Sequence, residues 1–114
     1  MPRTTSFIDR CSFRGGGPNE QKADTVGIVV NKGQALIQHC QFHQFNKGGV
    51  ISDLEYDAVF VFRDNALVSC SLVGLYVQGV NSNPIILHNV FMVNKSPGII
   101  INSYVDAFIA LNEM

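Results

Sequence analysis

The chain has 114 residues, 46% of them hydrophobic and 15% charged, which suits a single globular domain over residues 1–114. Its formal net charge is −1 and its eight Lys and Arg residues are scattered, so neither a nucleic acid nor an acidic membrane surface is an expected partner. No stretch approaches about 18 apolar residues and no leader is visible, so neither a membrane span nor a signal peptide is predicted.

One phrase recurs along the chain: an apolar residue, two positions, Cys or Asn, one position, then a large apolar residue. Its copies follow one another at 23 to 29 residues, and a period of this length indicates a solenoid. They read Ile8-x-x-Cys11-x-Phe13, Ile37-x-x-Cys40-x-Phe42, Phe62-x-x-Asn65-x-Leu67, Ile86-x-x-Asn89-x-Phe91 and Ile109-x-x-Asn112-x-Met114.

A glycine followed by alternating apolar residues comes after each of the first four copies. These glycine-led phrases are Gly27-Ile28-x-Val30, Gly49-Val50-x-Ser52, Gly74-Leu75-x-Val77 and Gly98-Ile99-x-Ile101. The glycine stands seven residues after the large apolar residue in three copies and fourteen after it in the first. The extra residues are rich in turn formers and charge, which predicts a loop insertion at about 15–24.

Both phrases alternate with period two and are rich in Val, Ile and Phe, which predicts strands and no helix. A unit of about 24 residues holds two or three short strands, and each must pair in parallel with its equivalent in the next unit, about 4.8 Å away. The sequence therefore predicts an all-β parallel β-helix of about four and a half coils. A leucine-rich repeat is the alternative, but it has no place for the glycine-led strand.

Stacking the coils puts equivalent residues in columns along the solenoid axis. The interior columns are predicted to be Ile8, Ile37, Phe62, Ile86 and Ile109; Phe13, Phe42, Leu67, Phe91 and Met114; Ile28, Val50, Leu75 and Ile99; and Val30, Ser52, Val77 and Ile101. A further column of Asn65, Asn89 and Asn112 lies at a bend, where stacked amides can hydrogen-bond from coil to coil. Asn also tolerates the left-handed backbone expected at such a corner.

These coils resemble the right-handed parallel β-helix repeat of the pectin-lyase-like superfamily, over Ser6 to Met114. Cys11 and Cys40 depart from the repeat, because they replace Asn in the first two coils. The resemblance implies a right-handed solenoid. For function it implies either a carbohydrate enzyme, such as a pectate lyase or polygalacturonase, or a non-catalytic module like those of certain F-box and Shc-binding proteins.

The three cysteines do not have the spacing of a disulfide framework. Cys11 and Cys40 are neighbours in one column, so a disulfide between them is an alternative, but a buried stack of reduced thiols is the expectation. Cys70 is expected to be a small apolar filler. Reduced cysteines favour an intracellular, cytoplasmic protein.

The outer face of the glycine-led strands is the candidate site, because the superfamily's carbohydrate enzymes build their sites there. Its outward residues are predicted to form an apolar column of Val29, Ile51, Tyr76 and Ile100 and a polar column of Asn31, Asp53, Gln78 and Asn102. An apolar stripe beside amides is typical of a protein-binding groove. Alternatively, a missing segment or a neighbouring loop covers it.

Catalysis on this face would require more acids and bases than the sequence places there. A glycosidase uses a pair of carboxylates, and a lyase uses carboxylates for Ca²⁺ together with a basic residue. The face offers Asp53, with Glu55 and Asp57 in the next turn and Asp106 two coils on, and no Lys or Arg is expected beside them. No catalytic residue and no cofactor is predicted.

Asp64 is expected to lie between His39 and His88 in the column before the Asn ladder. A carboxylate there would favour both imidazolium forms, and the three side chains could also be considered as Zn²⁺ ligands. Outward residues 4.8 Å apart rarely converge on a metal, so a solvated charge ladder is the expectation and no metal site is predicted.

The favoured interpretation is a non-catalytic protein-recognition or scaffold module. Its expected partner is a protein or neighbouring coils of a longer chain, and the open solenoid ends also allow self-association. The chain is expected to be a fragment of a longer solenoid. The alternative function is a fragment of a carbohydrate-active enzyme or a polysaccharide-binding protein.

Overall fold

A computed structural model describes residues 5–15, 25–54, 58–70, 73–79, 83–92, 99–101 and 108–110, with the backbone alone for residues 73 and 108–110. Every regular element in these segments is a β-strand. The strands are β1 (Thr5–Asp9), β2 (Ser12–Arg14), β3 (Val26–Gln38), β4 (Gln41–His43), β5 (Gly48–Leu54), β6 (Phe60–Arg63), β7 (Ala66–Val68), β8 (Val73–Gly79), β9 (Ile85–Leu87), β10 (Val90–Met92), β11 (Ile99–Ile101) and β12 (Phe108–Ala110). No helix in the described segments is long and apolar enough to cross a bilayer.

The strands form three faces of a solenoid. The glycine-led sheet contains the first part of β3 with β5, β8 and β11; the second sheet contains β1, the last part of β3, β6, β9 and β12; the third contains β2, β4, β7 and β10. β3 turns the corner between the first two sheets. All the pairings between these strands are parallel, and each joins equivalent strands of successive coils. The predicted parallel β-helix is confirmed.

The predicted interior columns are in register. Ile37 is paired with Phe62 and Phe62 with Ile86, and all three side chains are fully buried. The other columns align in the same way wherever the structure describes them, while Met114 lies outside the described residues. Because one side chain per coil fills each interior position, the apolar surface of the central described coils is covered by the neighbouring coils.

Aromatic rings provide part of this stacking. The Phe13 and Phe42 rings are parallel, with centroids 5.1 Å apart, and the Phe42 and Phe62 centroids are 6.2 Å apart. Aromatic pairs at these distances add to the free energy gained from burial. The core is therefore continuous across the first three coils.

The buried asparagines form the predicted ladder. Asn89 Oδ1 accepts hydrogen bonds from the Asn65 backbone N–H at 3.0 Å and from Asn65 Nδ2 at 3.1 Å. Asn65 Oδ1 in turn accepts the Cys40 N–H at 2.9 Å. Asn65 Nδ2 and Asn89 Nδ2 also donate to the carbonyls of Ile37 and Phe62, so each amide links two coils. Asn112 lies outside the described residues.

The left-handed backbone at this corner belongs to a different residue from the one predicted. Asn65 and Asn89 do not have positive φ; the residue before each ladder position does, at 53–55°. These left-handed residues are Arg10, His39, Asp64 and His88, and all four are exposed. The ladder residue must turn its side chain inward to reach the next coil, so the sharp turn is made by the outward-pointing residue before it.

Of the predicted insertion at 15–24, the structure describes Gly15, the rest lies outside the described residues, and the described chain continues at Thr25. Thr25 is fixed to the second coil: its N–H donates to Asn46 Oδ1 at 2.6 Å, and its Oγ1 accepts the Asn46 N–H at 2.9 Å. The chain therefore enters β3 already anchored to the next coil.

Candidate functional site

The outward residues of the glycine-led sheet align from coil to coil. Val29 is paired with Ile51, Ile51 with Tyr76, and Tyr76 with Ile100. Val29 is 64% exposed, whereas the other three side chains are half-buried. We call these four residues the apolar column. They form one continuous stripe that crosses four strands.

The polar column lies beside it on the same face. Asn31 is paired with Asp53, and Asp53 with Gln78; Asn102, the fourth predicted member, lies outside the described residues. The sheet thus brings together seven of the eight residues predicted from the sequence, in the two columns expected. The sequence prediction of their alignment is confirmed, while their use in binding stays a prediction.

Tyr76 is held in place from both ends. Its phenol donates a hydrogen bond to Gln78 Oε1 at 2.9 Å, which joins the two columns. The buried Ser52 hydroxyl donates to the Tyr76 carbonyl at 2.9 Å, which fixes the backbone to the preceding coil. A half-buried aromatic ring with a fixed polar end loses little side-chain entropy when a partner binds.

A basic residue stands beside Asp53, contrary to the sequence prediction. The register of β3 against β5 shifts between Asn31 and Gly33, and Lys32 at the shift has φ 54°. Lys32 Nζ lies 3.2 Å from Asp53 Oδ2. The bulge turns Lys32 toward the outer face, which strict alternation along an unbroken strand does not predict. The polar column therefore contains a surface ion pair.

A second outward apolar column runs along the second sheet, and sequence reasoning missed it. Its members align in register as Phe7, Leu36, Val61 and Ile85, and the backbone of Phe108 is paired opposite Ile85. Phe7 is 61% exposed and Ile85 40%. The signal was present, because every copy of the first phrase is directly preceded by an apolar residue. Beside this column Arg63 Nε donates to Gln38 Oε1 at 2.8 Å.

The remaining charged candidates do not form a catalytic or metal-binding cluster in the described segments. His39, Asp64 and His88 occupy equivalent corners, and their side chains are exposed. No group of three or more His, Cys, Asp or Glu side chains within the described residues is placed to hold a metal ion. Glu55, Asp57 and Asp106 lie outside those residues.

All three cysteines are free thiols. Cys70 is fully buried, and burial raises the pKa of its thiol to about 11. Burial also raises the pKa of the Cys40 thiol. Cys11, in contrast, is exposed, so the predicted buried stack of thiols holds for Cys40 and is wrong for Cys11. Cys70 contributes to the core, as predicted for a small apolar filler.

The comparison with known families agrees with the geometry of the coils. The profile of a family described as the right-handed β-helix region matches residues 2–113. No curated protein and no solved structure matches the chain significantly. Because the match spans nearly all of the sequence, and the described strands stack as parallel coils, the chain belongs to the right-handed β-helix family.

Proposed function

We propose that this β-helix is a non-catalytic module that recognises a protein through the outer face of its glycine-led sheet. The observation that carries the proposal is the apolar column, which the sheet holds in register over four strands beside a polar column. Apolar anchors next to hydrogen-bonding groups are the usual composition of a specific protein interface. The resemblance to the β-helix modules of F-box and Shc-binding proteins supports the same choice.

The state of Asp53 also favours recognition over catalysis. Its carboxylate is paired with Lys32, and its side chain is 26% exposed. A pair of free carboxylates on either side of a glycosidic bond is what hydrolysis requires, and Asp53 is the carboxylate that the described part of this face presents. An ion pair at the edge of an apolar patch is typical of the polar rim of a protein interface. Charges in such a rim affect the association rate and the specificity more than the affinity.

Tyr76 is the expected anchor of the interface. It lies within the apolar column, between Ile51 and Ile100, and its ring is already oriented by Gln78. Truncating a tyrosine at the centre of a protein interface to alanine commonly weakens binding by more than about 1 kcal/mol. We therefore expect Tyr76→Ala to weaken partner binding roughly fivefold or more while the domain stays folded.

The test is quantitative affinity capture with the intact chain, followed by mass spectrometry and a direct binding titration. Val29→Asp and Tyr76→Ala disrupt the apolar column, and Val59→Asp is the matched control. Val59 is 55% exposed, comparable to Val29, but it precedes β6 of the second sheet. A protein retained by the parent and by Val59→Asp, and lost from the other two variants, supports the proposal. Equal loss from all three, or retention by Tyr76→Ala, contradicts it.

A polysaccharide ligand is the second candidate. The aromatic ring of Tyr76 is close to the hydrogen-bonding groups of Gln78 and Asp53 on one face, and sugars are bound by such combinations. A glycan array probed with the parent and with Tyr76→Ala separates the two functions. Binding of a polysaccharide that depends on Tyr76, with no protein captured, would favour this candidate.

We also propose that the module works in a reducing compartment, such as the cytoplasm. The support is the set of free thiols, two of which are buried in the core. Localisation of the tagged full-length protein by microscopy tests this, and secretion into the medium would contradict it.

A further inference from the structure

Cys11 and Cys40 occupy the same corner in neighbouring coils. Cys11 directly precedes β2 and Cys40 directly precedes β4. These two strands of the third sheet are paired in register, with Ser12 opposite Gln41. The Gln41 N–H donates to the Cys11 carbonyl at 2.9 Å, which fixes the two cysteines side by side. Equivalent residues of parallel strands are about 4.8 Å apart, within the range of about 4.4–6.8 Å between Cα atoms that disulfides span.

The two sulfur atoms lie over the same part of the backbone. Cys40 Sγ is 3.7 Å from the carbonyl oxygen of Ile8, which belongs to the coil of Cys11. Cys11 Sγ is 3.4 Å from the carbonyl oxygen of Asp9, which directly follows Ile8 in the same coil. Cys40 is held there by the ladder, because Asn65 Oδ1 accepts its N–H at 2.9 Å. Both sulfurs therefore lie against carbonyls of the Cys11 coil, and rotation of the side chains is the movement that a disulfide between them requires.

Their environments differ in a way that gives each a separate role. Cys11 is exposed, so a small oxidant in solvent can reach it. Cys40 is buried at the equivalent position of the next coil, out of contact with solvent. An exposed cysteine with a neighbouring resolving cysteine is the arrangement found in thiol sensors of peroxide. Cys70 is fully buried at a different position in the core.

We propose that Cys11 and Cys40 are a peroxide-sensitive thiol pair that closes into a disulfide between the first two coils. The Cys11 thiol loses its proton, the thiolate attacks hydrogen peroxide and the O–O bond breaks; Cys11 becomes a sulfenic acid, and the hydroxide set free takes up the thiol proton and leaves as water. The Cys40 sulfur then attacks the Cys11 sulfur; the S–S bond forms, the S–O bond breaks, and the hydroxide leaves as a second water with the Cys40 proton. The pair gives two electrons, which reduce one peroxide.

The disulfide would close a loop that contains the 15–24 insertion and the first strand of the glycine-led sheet. A cross-link across a long loop stabilises mainly by restricting the unfolded chain. The first coil should therefore become harder to unfold on oxidation, and thiol reductants should reverse the change. This inference does not depend on the proposed recognition function.

The test treats the full chain with hydrogen peroxide and maps its peptides under non-reducing conditions. The parent should yield a peptide pair joined through Cys11 and Cys40, lighter by two hydrogen atoms, with a raised Tm that dithiothreitol reverses. Cys11→Ser should form no cross-link. Cys40→Ser should instead accumulate a sulfenic acid at Cys11, trapped by a dimedone reagent. Cys70→Ala is the matched control and should cross-link as the parent does.

Three results would overturn the inference. They are a parent in which Cys11 is overoxidised without a cross-link, a cross-link between two molecules through Cys11, and a cross-link that requires Cys70. Circular dichroism of each untreated variant checks that it is folded, so loss of the cross-link is read only in a folded protein.

Discussion

At the scale of single residues, the buried amides carry the most specific interactions of the solenoid. Asn89 is fully buried, and its side chain bonds both to Asn65 in the preceding coil and to the Phe62 carbonyl. A buried amide satisfied on both ends adds to stability, but its loss leaves the partner groups without hydrogen bonds in a dry interior. The ladder is therefore a place where one substitution affects two coils.

Asn89→Ala should lower the free energy of unfolding by about 3 kcal/mol, because it removes the buried acceptor of the Asn65 N–H and Nδ2 and the donor to the Phe62 carbonyl. Urea denaturation followed by circular dichroism measures the change. The control is Asn83→Ala: Asn83 is exposed, and its replacement should stay within about 0.5 kcal/mol of the parent. Equal effects of the two substitutions would show that the ladder does not stabilise the fold.

The buried thiol of Cys70 should lower the free energy of unfolding in alkaline solution. Burial raises the pKa of its thiol from 9.0 to about 11, so the unfolded chain releases this proton first as the pH rises. The contribution of Cys70 to the free energy of unfolding is constant below pH about 9 and falls above it. At pH 11 it is lower by roughly 2 kcal/mol. Denaturation of the parent and of Cys70→Ala at several pH values isolates it. Parallel stability curves for the two proteins from pH 8 to 11 would contradict the assignment.

Sequence reasoning at this scale succeeded for inward residues and failed for some outward ones. Asn65 and Asn89 could be predicted as a ladder because identical residues recur at one period. Lys32 could not be placed against Asp53, because the bulge that turns it outward leaves no repeat in the sequence. The left-handed corner was also assigned to the wrong residue, since Arg, His and Asp all occupy it and share no local signature.

At the scale of the strand, the leading glycines let successive coils approach closely. A Cβ on Gly49 would lie 2.7 Å from Leu67 Cδ2 and 2.9 Å from the carbonyl oxygen of Gly74. A Cβ on Gly27 would meet the Gly49 carbonyl oxygen at 2.6 Å. The recurring glycine, first recognised as part of a period, is therefore required by the backbone of the neighbouring coil.

Gly49→Ala should destabilise the fold by about 2 kcal/mol, since the added methyl group contacts the backbone of the next coil, which cannot move independently. Gly33→Ala is the matched control: its added Cβ would meet nothing closer than Val30 Cγ1 at 3.7 Å. Thermal denaturation of both variants measures the difference. A Gly33→Ala protein less stable than Gly49→Ala would be inconsistent with close approach as the reason for the glycine.

Strand boundaries were less predictable than strand existence. The period-two phrases predicted both the glycine-led strands and those of the second sheet. They did not predict that β3 would run unbroken through both sheets over 13 residues, whereas β5 and β6 are separate strands in the next coil. The continuity follows from the bulge at Lys32, which bends the strand instead of ending it.

At the scale of the whole molecule, stability should be greatest in the central coils. Ile37, Phe62 and Ile86 are fully buried, whereas Ile8 and Phe13 in the first coil and Ile99 in the last glycine-led strand are half-buried. These half-buried residues are where a further coil or a second copy would pack. Self-association through the ends stays a prediction, and sedimentation velocity at increasing protein concentration tests it.

The outward face was predictable as geometry but not as function. Alternation placed Val29, Ile51 and Tyr76 on one face, because every inward neighbour was fixed by the period. It gave no reason to prefer that face over the one presenting Phe7 and Ile85, which is similarly apolar. Residues that stack within the solenoid are constrained by repetition, whereas a binding surface depends on a partner whose chemistry the chain does not contain.

The solenoid should open from its ends. Its coils contact mainly their neighbours, so unfolding should begin at the ends and proceed inward. Amide hydrogens of β6 (Phe60–Arg63), which has a paired strand on each side, should exchange about tenfold or more slowly than those of β1 (Thr5–Asp9), which among the described strands pairs with β3 alone. Hydrogen exchange followed by mass spectrometry measures both segments in one sample. Oxidation of the Cys11–Cys40 pair should slow β1 selectively, because the disulfide joins its coil to the second one. Uniform exchange across the two strands would instead mean that the coils unfold together as one cooperative unit.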